Sequence, residues 1–288
     1  MTATESFVEH RNLLFTVAYE MLGSAADAED VLQETWLRWS EVDRSEVRDE
    51  RAYLVRITTR LSLNRMRTMA RRRESYVGPW LPEPLLTSPD VAEDVELADS
   101  ISMAMLVVLE SLTPTARAVF VLREVFEVGY DEIAAAVDKS PSAVRQIMHR
   151  ARERVAERRP RGEVTTSERD LVMARFRDAT ATGDLQSLLE VISPDVVLLT
   201  DGGGFKQAAL RPILGRDKVL RFLDAVAGDG FPVEVIEVNG APALRVVIDG
   251  EVDTIGSVLV EDGMVTGIYI VRNPEKLRRL DQVTALTR

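Results

Sequence analysis

The chain contains no cysteine and only two histidines, His10 and His149. Without thiols there is no disulfide framework, no thiolate zinc site and no cysteine nucleophile. Two imidazoles do not furnish a multi-histidine metal centre, so no metal or other cofactor is expected. Long apolar runs are also missing, since nothing approaches the ~20 consecutive apolar residues that cross a bilayer. The opening MTATESFVEHRN lacks the basic-then-apolar build of a secretory leader. The expectation is a cytoplasmic protein with no membrane contact. Its 288 residues, 45% hydrophobic and 29% charged, have ordinary globular composition. At ~100–200 residues per domain, two or three domains are expected.

What the chain does have is charge sorted by sign. A net charge of −11 would argue against a polyanionic partner if it were spread evenly. It is not. Between Arg51 and Arg73 stand eight arginines and no acid, whereas between Leu81 and Glu110 stand seven acids and no base. Binding to a polyanion follows local potential, so the total excludes nothing.

Residues 1–76 read as helices. Ser24 can cap a helix whose first turn holds Asp27, Glu29 and Asp30, the acid-rich start that the helix dipole favours. Val31, Leu32, Thr35, Trp36 and Trp39 then recur at helical spacing. A second helix, from Glu50 to about Arg73, turns Leu54, Ile57, Leu61 and Met66 inward. Residues 77–99 read as a linker, because Pro79, Pro82 and Pro84 forbid a helix and an acidic stretch follows. Helices resume for 100–159. After Thr166 the pattern changes to one or two helices (167–192) and then Val/Ile/Leu-rich segments at Asp195–Thr200, Phe231–Val238, Leu244–Ile248, Thr254–Val260 and Val265–Val271. Asp249-Gly250 and Asp262-Gly263 between them are hairpin turns, so an α+β domain with a curved antiparallel sheet is expected.

The sharpest local signal runs from Tyr130 to Val155. Ile133, Ala134 and Val137 give a short helix its inner face, and Asp138-Lys139-Ser140 makes a tight connection. Ser140-Pro141 is an N-cap with proline at the first helical position. Val144, Ile147, Met148, Ala151 and Val155 then face inward, leaving Ser142, Arg145, Gln146, His149, Arg150 and Arg152 outward. A second helix with Ser, Arg and Gln near its start suits the major groove. A plain helical hairpin with a solvated basic face is the alternative. On the earlier helix, Arg56, Arg60, Arg65, Arg67, Arg71, Arg72 and Arg73 cannot share one face, and no acid stands among them. They suit phosphate contacts, with Tyr53 able to stack on an unpaired base; a solubilising surface is the alternative.

Two stretches resemble an extracytoplasmic-function sigma factor of bacterial RNA polymerase. Asp27-Ala-Glu-Asp-Val-Leu-Gln-Glu-Thr-Trp-Leu-Arg-Trp39 with Arg51-Ala-Tyr-Leu-Val-Arg-Ile-Thr-Thr-Arg-Leu-Ser-Leu-Asn-Arg65 resembles its region 2. Leu112-Thr-Pro-Thr-Ala-Arg-Ala-Val-Phe-Val-Leu-Arg-Glu with the helix-turn-helix resembles its region 4. The resemblance implies that the partners are promoter DNA and core RNA polymerase, met at the β′ clamp helices and the β flap. It implies further that Asp27, Glu29, Asp30, Gln33, Glu34 and Trp36 dock on the clamp helices. Arg56, Arg60, Asn64, Arg65, Arg67, Arg71 and Arg72 would meet the −10 element, and the helix from Ser140 would read the −35 element.

The remaining chain, 167–280, resembles a SnoaL-like domain of the NTF2 superfamily, a cone of curved sheet against helices. The fold expected is therefore multidomain, with two all-α sigma domains and a C-terminal α+β SnoaL/NTF2-like cone. One sigma-factor group carries such an extension together with three short motifs. Here they read Trp80-Leu81-Pro82-Glu83-Pro84, Asp201-Gly202-Gly203-Gly204-Phe205-Lys206 and Asn273-Pro274-Glu275-Lys276-Leu277. Phe205 stands before the lysine as an insertion, and Glu275 replaces an aspartate. The resemblance implies regulation in cis, through an interface of these motif residues from Trp80 to Pro84, Asp201 to Gly204, Lys206 and Asn273 to Leu277. A Trp–Leu pair in a proline frame suits anchoring in a groove. The Gly run fits either a positive-φ loop or a close approach of backbone amides.

Asp201, Glu251 and Asp253 are the acids a SnoaL-type enzyme would need, but no His or Cys follows residue 159, so no enzyme is expected. A cavity taking a small-molecule ligand is compatible with such a cone. Two rival readings remain: a ligand-sensing DNA-binding regulator that works without polymerase, and an enzyme with a DNA-binding appendage.

Overall fold

The structure, a computed structural model, describes residues 2–88, 90–91, 94–158, 165–227 and 232–288, with the side chains of Arg71, Arg72 and Thr166 outside the description. Helices α1 (Ala3–Leu22), α2 (Ala25–Ser40) and α3 (Glu50–Glu74) pack around Leu14, Tyr19, Leu32, Trp39 and Leu54. Gly23, at φ 66°, ends α1, and Ser24 Oγ accepts from the Asp27 amide at 3.2 Å to start α2. Five further helices follow: α4 (Val95–Ile101), α5 (Met103–Leu109), α6 (Pro114–Glu124), α7 (Tyr130–Val137) and α8 (Pro141–Ala156). Thr113 and Ser140 cap α6 and α8, each with proline at the first helical position. Asp90 and Val91 are already helical and α4 begins at Val95, so helical structure starts inside the segment expected to be linker.

The helical part has one continuous core, because α3 lies against α6 and α7 as well as α1 and α2. This explains a difference from the sequence expectation. Leu54 and Leu61 are buried as expected and Ile57 and Met66 half-buried, but Val55, Thr58, Thr59, Ser62 and Leu63 are buried too. A single amphipathic stripe was expected, whereas the helix is covered on two sides.

The C-terminal part holds α9 (Thr166–Thr182), α10 (Leu185–Val191), β1 (Ile192–Asp201), β2 (Ile213–Leu214), α11 (Arg216–Ala227), β3 (Val233–Val238), β4 (Ala241–Ile248), β5 (Glu251–Glu261), β6 (Met264–Val271) and α12 (Pro274–Leu277). Of the strand expected from Phe231, its first residue lies outside the described residues. The sheet order is β2-β1-β6-β5-β4-β3. Asn239-Gly240, Asp249-Gly250 and Asp262-Gly263 turn the β3–β6 meander, all six residues at positive φ. The sheet is mixed rather than antiparallel, since β1 runs parallel to β6. That pairing is non-local and has no turn signal in the sequence. Helices α9–α11 pack on the sheet through Val172, Phe176, Leu188 and Val219.

A third cluster joins the two parts: Leu81, Met103, Val238, Ile255, Val271 and Leu277. The last residues run back onto the helices, where Leu286 is buried in the helical core and the Thr287 amide donates to Thr16 Oγ1 at 3.2 Å. Among the described residues, no helix is long and apolar enough to cross a membrane.

A buried polar network lies between the two helical units. Ser100 Oγ donates to Glu20 Oε1 at 2.9 Å, and Arg117 Nε donates to the Glu20 carbonyl at 2.8 Å. Arg117 and Arg73 both pair with Glu110. Burial pushes the Glu20 carboxyl up to about 8, against the opposing pull of Ser100 and Arg117. The folded chain therefore holds a proton that an unfolded chain releases above its ordinary carboxylate range, and stability falls as pH rises through that window up to about 8. Glu20→Gln removes this proton. The variant is expected to match the parent at pH 5 and to be more stable by roughly 2–4 kcal/mol at pH 8 in urea unfolding. Parallel stability–pH profiles for the two chains would contradict this.

Candidate functional site

The Gly78–Leu85 linker is held by the C-terminal domain through one carboxylate. Asp201, at the end of β1, is fully buried. Its Oδ1 accepts from Tyr76 Oη at 2.6 Å and the Gly203 amide at 3.0 Å, and its Oδ2 accepts from the Leu81 amide at 2.8 Å and Lys276 Nζ at 2.7 Å. Lys276 also donates to the Leu81 carbonyl, so both backbone groups of Leu81 are gripped. Asn273 caps α12 and donates to Tyr76 Oη at 2.8 Å. Burial pushes the Lys276 ammonium down to about 8 against the pull of Asp201. It pushes the Tyr76 hydroxyl up, as the Asp201 acceptor also does.

The glycine run is what lets these groups meet. A Cβ on Gly203 would lie 2.3 Å from Asn273 Nδ2, and one on Gly202 would lie 2.2 Å from the Lys206 carbonyl. Trp80 sits on Gly23, with Arg73 3.7 Å and Lys276 4.0 Å from its ring. Leu81 fills the shared apolar cluster, a burial contributing ~2 kcal/mol. A buried ion pair adds little net stability, so Leu81 supplies adhesion and Asp201 supplies register.

The same linker reaches the helical units. Glu83 Oε2 accepts from the amides of Ala25 and Ala26 at 2.8 and 3.3 Å and from Ser24 Oγ at 3.2 Å, capping the N-terminus of α2. Burial pushes the Glu83 carboxyl up, opposed by these donors. Pro82 and Pro84 are buried beside it. Asn239, in the β3–β4 turn, accepts from the Leu85 amide at 2.9 Å and donates to Tyr19 Oη at 2.7 Å and the Ile101 carbonyl at 2.8 Å.

Not every motif residue lies at the linker. Lys206 does not bond to it; in a turn whose Phe205 and Lys206 amides donate to the Gly202 carbonyl at 2.9 and 3.1 Å, its Nζ lies 3.0 Å from Asp253 Oδ1. Phe205, Pro274 and Glu275 are exposed, whereas Leu277 is buried in the shared cluster. Among the acids that the alternative enzyme reading would need, Glu251 is exposed, and both oxygens of Asp201 and Asp253 are taken up by donors.

The expected polymerase and DNA residues divide sharply. On α2, Asp27 and Asp30 both pair with Arg65 of α3, Glu29 with Arg11 at 2.8 Å and Glu34 with Arg38 at 2.6 Å. Gln33 is exposed, and Trp36 packs 5.3 Å from Phe7. On α3, Arg60 donates to the Ala135 and Ala136 carbonyls at 2.7 and 3.4 Å, satisfying the C-terminal turn of α7. Arg56 stacks on Tyr53 at 4.7 Å, and Arg67 donates to the exposed Asn64 at 3.1 Å. The Arg71 and Arg72 side chains lie outside the described residues. On α8, by contrast, Ser142, Arg145, Gln146, His149, Arg150 and Arg152 are all exposed, with Arg152 paired to Glu124 at 2.6 Å. Arg60 and Arg65 thus find partners across helices, which one-dimensional spacing does not show.

A capped helix-turn-helix beside an arginine-rich helix, in one polypeptide with a tethering linker, is the build of a promoter-recognition subunit of bacterial RNA polymerase. Residues 7–73 match the Sigma-70 region 2 family and residues 102–155 the Sigma-70, region 4 family. The chain is 35% identical over 283 residues to the ECF RNA polymerase sigma factor SigJ of Mycobacterium tuberculosis, covering 92% of this chain and 90% of that protein. It is 31% identical over 272 residues to a probable ECF RNA polymerase sigma factor, SigI, of the same species, covering 93% and 92%. The crystal structure of Mycobacterium tuberculosis SigJ superposes with a TM-score of 0.79 at 33% identity, covering 96% of this chain and 99% of that one. The chain belongs to the extracytoplasmic function sigma factors. It binds core RNA polymerase, directs it to promoter DNA for transcription initiation, and is not an enzyme.

Asp201→Ala leaves the Lys276 ammonium, the Leu81 amide and the Tyr76 hydroxyl without their acceptor. It is expected to cost roughly 2–4 kcal/mol in chemical unfolding and to speed amide exchange at Leu81. Unchanged exchange at Leu81 would contradict the clamp.

Proposed function

We propose that the C-terminal domain regulates this sigma factor in cis by holding its two helical units and linker in the closed arrangement. The division of labour that goes with this is 1–76 for core polymerase and the −10 element, 77–99 as the regulated linker, 100–159 for the −35 element and 167–280 as the regulatory domain; residue 159 and several of its successors lie outside the described residues. The single observation that carries the reading is the Asp201 carboxylate shared between Tyr76, Leu81 and Lys276, which ties the linker to the C-terminal domain.

Within the α1–α3 unit the surfaces for polymerase and the −10 element neutralise each other. Asp27 and Asp30 of α2 would dock on the β′ clamp helices, together with Glu29, Gln33, Glu34 and Trp36. Both aspartates hold Arg65, which with Arg56, Arg60, Asn64, Arg67, Arg71 and Arg72 would meet the −10 element. Arg60 is spent on the end of α7. The −35 face from Ser142 to Arg152 stays open. Polymerase therefore has to separate α3 from α7 before promoter opening, and the latch shifts that equilibrium only by its differential affinity for the two states.

The reading is tested by measuring affinity for purified core polymerase with the full chain and with a chain ending at Arg159. The truncated chain is expected to bind roughly 10- to 100-fold more tightly, or about 1.4–2.8 kcal/mol. Equal affinities would leave a sigma factor without a latch. A polymerase-independent regulator would instead bind promoter DNA tightly on its own.

A further inference from the structure

The cations of α8 are not equally free. Ser142, Arg145, His149 and Arg152 recur at three- and four-residue steps, so they form one exposed row along the helix. At the far end of that row Arg152 is committed to Glu124 of α6, with its Nε 3.2 Å and its Nη2 2.6 Å from Oε1. His149 Nε2 lies 3.7 Å from Glu153. Arg150 is exposed off the row, ~140° round the helix from Arg145. Arg145 itself, in the second turn, has no acid and no hydrogen-bond acceptor among the described residues. The first turns of such a helix are the ones that reach base edges.

What Arg145 does touch is a ring. Its guanidinium lies 5.6 Å from the centre of Tyr130, inside the ~6 Å over which a cation is attracted to an aromatic face. Tyr130 is the first residue of α7, and its ring is half-buried against the helical core. The Arg123 guanidinium lies 4.9 Å from the same ring, and its Nη1 donates to the Glu127 and Val128 carbonyls at 3.4 and 3.1 Å. Arg123 thus ties down the loop between α6 and α7 and braces the ring. Two guanidiniums meet at one tyrosine; the backbone engages Arg123, and Arg145 keeps its donors.

Reading a base with an arginine means fixing a long side chain, and the rotamer freedom lost opposes the contact. A guanidinium stacked on a fixed ring has already given up part of that freedom, while the N–H groups on its edge stay available. The base edge that accepts two parallel N–H bonds from arginine in the major groove is guanine, through O6 and N7. We propose that Arg145 reads a guanine of the −35 element and that Tyr130 is the positioning residue that holds it for that contact. Both roles rest on α8 entering the −35 major groove, as read above, and add which side chain selects and which base it selects.

The test is a duplex library randomised through the promoter region, bound by core polymerase carrying the full chain, then recovered and sequenced. The −35 segment is expected to hold a G·C pair whose preference falls at least ~10-fold in Arg145→Ala, with the other positions unmoved. Tyr130→Leu is expected to weaken that same preference roughly 2- to 5-fold, and Tyr130→Phe to retain it. In the Arg145→Ala background Tyr130→Leu is expected to add nothing. A preference left intact in Tyr130→Leu would overturn the assignment. So would a loss at every position alike, the mark of a merely structural tyrosine, or an Arg145→Ala change at a pair other than G·C. A −35 segment with no preferred base would overturn the reading of α8 itself, and this assignment with it.

Discussion

The closed architecture depends on one buried carboxylate. Asp201 receives four hydrogen bonds, from its own loop, from α12, from Leu81 on the linker and from Tyr76 just before it. A carboxylate removed from water at this depth is tolerated only when its oxygens are occupied and a cation stands beside it. Lys276 is that cation, and its own burial is offset by the Trp80 and Tyr76 rings. Because each partner needs the other, the linker docks in one register. The apolar cluster around Leu81 could accept a shifted chain, but the Asp201 pair could not.

The linker carries that constraint to the helical units. Glu83 caps α2, Asn239 ties the β3–β4 turn to α1 and α4, and Leu286 closes over the helical core. The contact between α3 and the helix-turn-helix is of another kind. Arg60 meets backbone carbonyls of α7, and α3 shares one apolar core with α6 and α7.

Much of this was legible in one dimension. The caps at Ser24 and Ser140, the outward residues of α8, and the Asp-Gly hairpins follow from local chemistry that folding does not override. The short motifs at Trp80, Asp201 and Asn273 marked the clamp, though not its bonding. What the sequence hid is non-local: the parallel β1–β6 pair, the second covered side of α3, and the cross-helix partners of Arg60 and Arg65. Tyr76, Asn239 and Arg117 carry no signal in isolation, because a single buried polar residue looks like any surface one until its partners are known. Lys206 meets Asp253, a partner 47 residues further along the chain that its motif does not reveal.

The central claim is that the grip on Asp201 keeps the two helical units together. Because the chain lacks cysteine, Glu9→Cys and Lys139→Cys, both at exposed positions, place a dye pair on α1 and beside α7 without background labelling. Single-molecule energy transfer between them reads the separation of the units directly. The account predicts one high-transfer population in the free chain, and a shift to low transfer when core polymerase is added or when Asp201 is replaced by alanine. A transfer distribution unmoved by both changes would contradict it.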